Sequence, residues 1–365
     1  MSRRASKHRV GWRVGAVIGA ALALAAGCSL VTSYDGFTPD GPPCGKRIPG
    51  APAAAGKAGP EAIGFTTSLQ FLDDPDAGTG QQLGYDLDNL CTCPDLNARS
   101  CKNANAGGDQ QCDVPNTGID NAAGSVLGVL FPADANARLL DSLRHGTNGL
   151  VVRVQDWDTT LNDGAVKVSV FNVAGLKGDA DGGTGAKLDG TDEFMVDEGS
   201  LLNVMDLGPK YFSTSAYVSG GILVAALDLD LRFEVPPPNP MAGAVVFIPL
   251  RFAHLIGKIT RVGAGGLKLT DAQLVGRIPI AEVFAQIANL GLCQSDPPFA
   301  DIKKRTCAAF DLPSAPVAGS GRSTQPCNAL SFAIGLTVGP AKLGGSAPTR
   351  GAASRCGPEP AVRCP

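Results

Sequence analysis

Residues 226–235 alternate apolar and polar side chains one by one, and this alternation constrains the fold of the chain more than any other feature. The apolar parity consists of Leu227, Leu229, Leu231, Phe233 and Val235. Successive side chains of a β-strand point to opposite faces of its sheet, so this segment is predicted to be a strand with one buried and one solvated face. Strands in parallel sheets are usually apolar on both faces, and the pattern therefore favours an antiparallel sheet.

The same alternation recurs along the chain. It is found at 150–155, 166–170, 245–256 and 330–338, and a first strand is predicted at 63–72. Most of the ordered chain is therefore expected to lie in strands with one buried face.

Two helices are predicted beside these strands. The first covers 134–145, where Asp134 can cap the first turn and Gly146 can end the helix. The second covers 279–290 and begins with Pro279, a residue that suits a first turn. The predicted fold is mainly β: an antiparallel, β-sandwich-like body with two or three helices and disulfide-tied loops.

The N-terminus has the organisation of an export signal. Five basic residues precede an apolar run over 14–26, and no acidic residue lies among them. A run of thirteen residues is too short to span the roughly 30 Å hydrocarbon core of a membrane. Residues 1–27 are therefore predicted to be a cleaved signal peptide.

The end of this signal, Leu24-Ala-Ala-Gly-Cys28, resembles the lipobox of bacterial lipoprotein precursors. That motif has its Leu three residues before the Cys, where this chain has Ala25. The resemblance implies cleavage before Cys28 and a lipid such as palmitate on its sulfur, which makes the membrane a partner. In lipoproteins a residue other than Asp after the Cys favours the outer membrane, and this chain has Ser29. The expectation is a lipid-anchored protein of the cell envelope.

Composition predicts how the remaining chain is divided. Residues 28–62 are rich in Gly, Pro and Ala and have no apolar period, which is typical of a tether. A β-rich body is predicted at 63–292, with an acidic, cysteine-rich insert at 73–121. Residues 293–365 form a cysteine-rich C-terminal segment that we expect to pack on the body.

The charge of the chain excludes one class of partner. Without the signal, 26 basic and 34 acidic residues remain, a formal charge of −8. Nucleic acids and anionic lipid surfaces attract positively charged proteins. We therefore expect no nucleic-acid partner.

Ten cysteines remain beyond Cys28, an even number that is typical of disulfides in an exported protein. They are Cys44, a group of four at Cys91, Cys93, Cys101 and Cys112, and a group of five at Cys293, Cys307, Cys327, Cys356 and Cys364. Because five is odd, a bridge from Cys44 to the C-terminal group is expected. The group of four allows three pairings. Zinc is disfavoured, because the group of four has a C-x-C spacing and no nearby His.

Acidic residues beside the first cysteines suggest a cation site. Asp86, Asp88, Asn89 and Asp95 offer oxygen ligands at close spacing, with a further Asp-Asn pair at 120–121. Oxygen ligands made rigid by disulfides suit calcium. The alternative is that Asp, Asn and Gly simply form turns here, and the same alternative applies to the acidic stretches at 156–164 and 179–192.

One aromatic residue suggests a ligand contact. Trp157 lies between two Asp residues at the tip of a predicted hairpin, where an exposed ring could contact a glycan or a protein ligand. The alternative is a Trp packed at the edge of the core.

Catalytic motifs are scarce. The chain has no G-x-S-x-G, H-E-x-x-H or P-loop sequence. His145 lies at a predicted helix end. His254 has the parity of Ile248 and Leu250, so it is predicted to be a core residue of the strand at 245–256. No catalytic residue can be assigned.

Several phrases of the body resemble a group of uncharacterised exported lipoproteins of myxobacteria-like bacteria. They include GYDLDNLCTC, KLDGTDEFMVD, AYVSGGILVA and QLVGRIPIAEVF, within a span of about 63 to 345. The resemblance implies export. It implies no activity, because none is assigned to that group.

These observations together favour a lipid-anchored, non-catalytic binding or structural module of the cell envelope, stabilised by calcium. The alternative is an exported hydrolase that acts on polysaccharides or esters through carboxylates, which requires an acid-lined cleft. A third interpretation, a carrier of apolar ligands, requires a hollow between sheets.

Overall fold

The computed structural model describes residues 46–53, 56–70, 83–90, 101, 118–124, 126, 135–178, 185–234, 245–316, 325–349, 356–357 and 360–364. In these ranges the chain forms twelve strands: β1 (Ala62–Gln70), β2 (Leu150–Gln155), β3 (Asp163–Leu176), β4 (Glu193–Asp197), β5 (Leu201–Asn203), β6 (Gly208–Pro209), β7 (Tyr211–Ser219), β8 (Ile222–Glu234), β9 (Val245–Val262), β10 (Gly266–Pro279), β11 (Ala329–Pro340) and β12 (Lys342–Ala347). The helices in the same ranges are α1 (Ala135–Arg144), α2 (Ile280–Asn289) and α3 (Phe299–Ala309).

Eight of the strands close into one continuous antiparallel circuit. Its order is β1, β2, β3, β7, β8, β9, β10 and β11, and β11 pairs again with β1. Strand β4 pairs with the end of β3, and β12 runs parallel to β4. The mainly β, largely antiparallel prediction is confirmed. Ten of the strands belong to one large sheet, and β5 and β6 form a separate pair. The opposed layers of the body therefore come from one sheet that returns on itself.

Alternate side chains of the circuit fill an inner core. On β8 the inward parity is Leu223, Ala225, Leu227, Leu229 and Leu231, each at most 6% exposed. This is the strand with the strongest alternation in the sequence, and its predicted apolar face is the buried one over these positions.

Both predicted helices are present and cover the sheet. Helix α1 places Leu139 and Leu143 against the core, and it ends where Gly146 takes a positive φ of 64° and donates its N–H to the Leu143 carbonyl. Helix α2 packs on β9 and β10 through an apolar face that includes Phe284 and Ile287. The sequence interpretation did not place α3, which lies in the C-terminal segment.

The outer face of β8 to β11 is also covered. A second apolar cluster joins Val224, Ile256 and Val275 to Leu83, with Ile48 packed against it. The segments 46–50 and 83–90 therefore lie on a face that the alternation pattern had predicted to be solvated.

The tether prediction is wrong for residues 46–53 and 56–61. The Tyr217 hydroxyl donates to the Pro49 carbonyl, and the Gly56 N–H donates to Asp163 Oδ1 at 3.0 Å. Arg261 donates to the carbonyl of Pro60 at 2.6 Å. This Gly- and Pro-rich segment is held on the body by hydrogen bonds between its backbone groups and side chains of the strands and loops.

Disulfides join Cys101 to Cys327, Cys293 to Cys356 and Cys307 to Cys364. The five C-terminal cysteines are thereby paired, so the expected bridge from Cys44 to this group is wrong. The fifth cysteine of this group, Cys327, is bonded to Cys101 instead. Spacing alone cannot reveal this pairing, since the two cysteines are 226 residues apart. The remaining cysteines, Cys28, Cys44, Cys91, Cys93 and Cys112, lie outside the described residues.

The C-terminal segment is part of the sheet. Strand β11 lies between β1 and β10, and the tail residues Cys356 and Cys364 are tied to the helical region by their disulfides. Strands from both sides of position 292/293 therefore belong to one sheet.

No helix within the described ranges is both long enough and apolar enough to cross a membrane.

Candidate functional site

Three carboxylates meet on the outer face of the sheet. Each of Asp86, Asp88 and Asp120 offers one oxygen, and these oxygens lie within 4.8 Å of one another. Asp86 and Asp120 are 3% and 2% exposed. A backbone bridge brings the two parts of the chain together, because the Asp120 N–H donates to the Tyr85 carbonyl at 3.1 Å.

Backbone amides hold these carboxylates in place. The Leu87 N–H donates to Asp120 Oδ2 at 2.6 Å. The Leu90 N–H donates to both Asp86 Oδ1, at 3.2 Å, and Asp88 Oδ1, at 2.8 Å. The cluster thus fixes the turn at 83–90, as the turn interpretation of these residues requires.

Two guanidinium groups face the cluster. Arg47 Nε is 3.8 Å from Asp86 Oδ2. Arg277, on β10 and 2% exposed, donates to the Leu87 carbonyl at 2.7 Å. Burial lowers the pKa of Arg277, and the carboxylates of Asp120 and Asp88 act in the opposite direction. Their charges offset the cost of burying this cation.

The polar network continues to β11. Ser331, which has no exposed surface, donates from Oγ to Asp311 Oδ2 at 2.5 Å and accepts the Ala122 N–H at 2.7 Å. Arg277 also donates to the Pro313 carbonyl at 2.7 Å. These bonds fasten the segments 118–124 and 311–313 to the sheet, which gives the Ser331 hydroxyl a structural role.

Among the residues that the structure describes, these three carboxylates form the group that could hold a metal. Calcium takes oxygen ligands at about 2.3–2.6 Å, and oxygens within 4.8 Å of one another can share such an ion. The sequence predicted Asp86 and Asp88 as ligands and noted Asp120. Asn89 is exposed and adopts a left-handed backbone with φ 61°. Asp95 lies outside the described residues.

The second and third acidic stretches form turns. Asp163 Oδ1 accepts the Ala165 N–H as well as that of Gly56, and Asp158 Oδ1 accepts the Thr160 N–H at 3.0 Å. In the third stretch, Asp192 accepts two backbone N–H groups. Residues 179–184 lie outside the described residues.

The structure does not present Trp157 as a ligand platform. Its side chain is 3% exposed, and its indole N–H donates to the Thr160 carbonyl at 3.1 Å. The guanidinium of Arg261 lies 5.7 Å from the ring centre. The prediction of a glycan or protein contact at Trp157 is wrong, because the hairpin folds the ring into the core.

The position of His254 also differs from the prediction. Strand β9 has one extra residue between Leu250 and Ala253 relative to β8, where Phe252 has a φ of 48°. This bulge inverts the parity of the strand, so Leu250 faces the inner core and His254 lies on the outer face beside Val275. Phe252 becomes 46% exposed. His145 is exposed at the end of α1.

Burial lowers the pKa of His254 below its ordinary value, and the charge of Arg277 adds to this effect, against a hydrogen bond from the ring to the Phe252 carbonyl. Above the unfolded-state value of 6.5, the side chain is neutral in both states. Below it, the unfolded chain takes up a proton that the folded protein excludes.

We therefore expect wild-type stability to fall as the pH drops through 6.5, and His254→Gln to reduce that loss. Urea unfolding at about pH 7.5 and at about pH 5.5 gives the free energy of unfolding of both proteins. His145→Gln, an exposed position at the end of α1, is the control and should lose as much stability as wild type. Equal losses for wild type and His254→Gln would contradict the assignment.

An apolar pocket lies between α2 and β9. Its volume is about 60 Å³, and its lining includes Ile248, Val283, Ile287 and Leu330. Gln286 is the polar side chain at the wall of this pocket. Its Oε1 accepts hydrogen bonds from the Phe247 N–H and from the side-chain amide of Asn289. Pockets for ordinary ligands are about 300–1,000 Å³. This one is too small to support the apolar-carrier interpretation.

The clustered carboxylates also do not form the cleft of a hydrolase. Glycoside hydrolysis needs two carboxylates about 5–10 Å apart that both reach the substrate. Asp86 and Asp120 are almost fully covered and bonded to backbone amides.

Comparisons of the chain with models of protein families, with curated proteins and with solved structures find no match.

Proposed function

We propose that this protein is a lipid-anchored component of the cell envelope, whose body is a non-catalytic binding or structural module. The observation that carries the proposal is the set of three disulfides that fasten the loops and tail to the sheet. Such bridges form and persist in oxidising compartments outside the cytosol. The signal-like residues 1–27 and the lipobox-like end at Cys28 supply the route and the anchor.

The non-catalytic part of the proposal is supported by how the polar groups are used. Asp86, Asp120, Arg277 and Ser331 are each at most 3% exposed, and each makes hydrogen bonds within the fold. Side chains held in this way organise the outer layer. A substrate could not reach them without displacing the segments that they bind.

The anchor predicts a direct labelling result. The wild-type chain, expressed in a bacterium that processes lipoproteins, should incorporate a clickable palmitate analogue and lose residues 1–27. Cys28→Ser should incorporate no label, because the acceptor sulfur is gone. Cys44→Ser is the matched control and should keep the label. Label retained by Cys28→Ser would overturn the anchor.

Calcium stabilisation is the second part of the proposal and is supported by the spacing of Asp86, Asp88 and Asp120. Calcium at about 100 times its Kd would stabilise the folded state by about 2.7 kcal/mol. The Tm should therefore rise by several degrees in calcium relative to chelator.

The matched variants are Asp88→Asn and Asp301→Asn. Asp88→Asn should abolish the difference in Tm between calcium and chelator, while Asp301→Asn, an exposed position on α3, should preserve it. A wild-type Tm that is equal in both conditions would mean that Arg47 and Arg277 alone balance the carboxylates.

A further inference from the structure

The segment between Cys28 and the sheet lies along the body as a strap. Residues 46–53 and 56–61, here called the strap, come directly before β1. None of these described residues is fully buried, whereas Ala62, the first residue of β1, has no exposed surface. The strap therefore stays at the surface up to the position where the chain enters the sheet.

The strap touches the body in two regions, and the first lies at its beginning. There the Lys46 carbonyl accepts the Asp86 N–H at 2.9 Å, and the Tyr217 hydroxyl donates to the Pro49 carbonyl. Ile48 packs on the outer apolar cluster but is only partly buried. Among the described residues of the strap, it is the one that joins an apolar cluster.

The second contact region lies at the end of the strap and is polar. The Gly56 N–H donates to Asp163 Oδ1 at 3.0 Å, and the Lys57 N–H donates to Asp158 Oδ2 at 3.2 Å. The bond at Asp158 is exposed to solvent, as is the bond from Arg261 to the carbonyl at position 60. This region is therefore held by backbone hydrogen bonds that water can reach.

Glycine permits the close approach of the second contact region. A Cβ atom added at Gly59 would lie 1.8 Å from the Trp157 carbonyl oxygen, and one added at Gly56 would lie 2.2 Å from the Asp163 carboxyl group. Gly50 lies between the two regions, and a Cβ atom added there would meet no other atom within 4 Å. Docking of the strap thus depends on Gly56 and Gly59 and not on Gly50.

These contacts hold the strap weakly. Ordering a segment costs conformational entropy at each residue, and hydrogen bonds that replace bonds to water offset little of that cost. The ion pair of the strap joins Arg47 to Asp86 across 3.8 Å, and the Arg47 side chain is 31% exposed, which limits its strength. Segments with few buried apolar contacts and solvent-exposed backbone bonds are the ones that open while the rest of a protein stays folded.

We propose that the strap detaches reversibly from the folded body, and that its release sets how far the body can stand from the bilayer. The release does not depend on the proposed anchor, whereas its effect on distance rests on it. With the strap docked, eighteen residues lead from Cys28 to Lys46 and span at most about 65 Å. With the strap released, thirty-four residues lead to Ala62 and span at most about 120 Å.

Hydrogen exchange of the wild-type chain under native conditions tests the release. The amides of Gly56 and Lys57 should exchange at least about a hundredfold faster than those between β8 and β9, because they open locally. Their exchange should also depend little on urea below the unfolding transition, since a local opening exposes little surface. If these two amides exchanged at the rate of the β8 amides and with the same urea dependence, the inference would be overturned.

Two glycine variants test how the strap is held. Gly59→Ala and Gly50→Ala add the same methyl group, and neither glycine has a positive φ. Gly59→Ala should speed trypsin cleavage after Lys57 at least about tenfold, because cleavage follows the population of the open form. Gly50→Ala should be cleaved as slowly as wild type, and both variants should keep the wild-type circular dichroism. Equal cleavage of the two variants, or loss of the sheet in Gly59→Ala, would overturn the inference.

Neutron reflectometry of lipidated full-length chains on a supported phosphatidylcholine bilayer measures the effect on distance. The double variant Ile48→Ser/Gly59→Ala weakens both contact regions, and Gly50→Ala is its control. The protein layer of the double variant should extend about 10–55 Å farther from the bilayer, the upper value being the length of the extended strap. Equal layers would overturn the effect on distance and leave the anchor intact. A bilayer that holds no protein would overturn the anchor and that effect together, while hydrogen exchange still decides the release.

Discussion

Replacing Arg277 by alanine is expected to lower the free energy of unfolding by about 3–5 kcal/mol, the range for removing one partner from a buried charge network. The guanidinium is 2% exposed and reaches the carbonyls of Leu87 and Pro313. Without it, Asp88 and Asp120 would be left close together with less positive charge to balance them. Urea unfolding of wild type and variant measures the loss.

Arg251→Ala is the matched control for this prediction. Arg251 pairs with Arg277 in the register of β9 and β10, but its side chain is 33% exposed and that of its partner Asp230 is 29% exposed. Partly exposed ion pairs contribute about 0–1 kcal/mol, so the control should stay within that range. A loss for Arg277→Ala no larger than that of the control would show that the network carries little of the stability.

Phe65→Ala is expected to cost about 3–5 kcal/mol of stability, because truncation of a buried aromatic side chain leaves a cavity. Phe65 on β1 is 1% exposed and stacks on Phe194 of β4, with 3.7 Å between ring centres. A Cβ atom added at Gly149 would lie only 2.8 Å from the Phe65 ring. The surroundings are therefore closely packed around this ring.

The matched control is Phe212→Ala on β7, where the same substitution removes a ring that is 49% exposed. We expect a change within about 0.5 kcal/mol, as for surface positions generally. Unfolding by heat and by urea should rank the two variants alike. A small loss for Phe65→Ala would mean that the circuit collapses around the missing ring.

Alternation in the sequence predicted the fold class because each strand of the circuit has an inner face. It failed locally where strand geometry departs from strict alternation. The extra residue near Phe252 moves His254 from the inner to the outer face, and only the pairing with β8 reveals that bulge. Tertiary pairings such as Cys101 with Cys327 have no local signal at all.

Only part of the candidate site could be predicted, because the sequence shows which residues are neighbours along the chain and not which ones the fold brings together. Asp86 and Asp88 are neighbours in the chain, so their joint position was visible in the sequence. Arg277 joins them only through the fold. Its signal was a charged residue inside the apolar run 274–278 of β10, where an arginine needs buried partners.

The pairing of β1 has a consequence for how the chain acquires its structure. Residue 64 on β1 pairs with residue 340 on β11, and β11 also pairs with β10. Until β11 has been synthesised, β1 pairs only with β2 and, at one position, with β10, and the ring cannot close. Contacts this distant in sequence slow folding and prolong the exposure of unpaired strand edges. Truncation before 329 should thus leave two open edges, and an aggregating chain rather than a smaller folded protein.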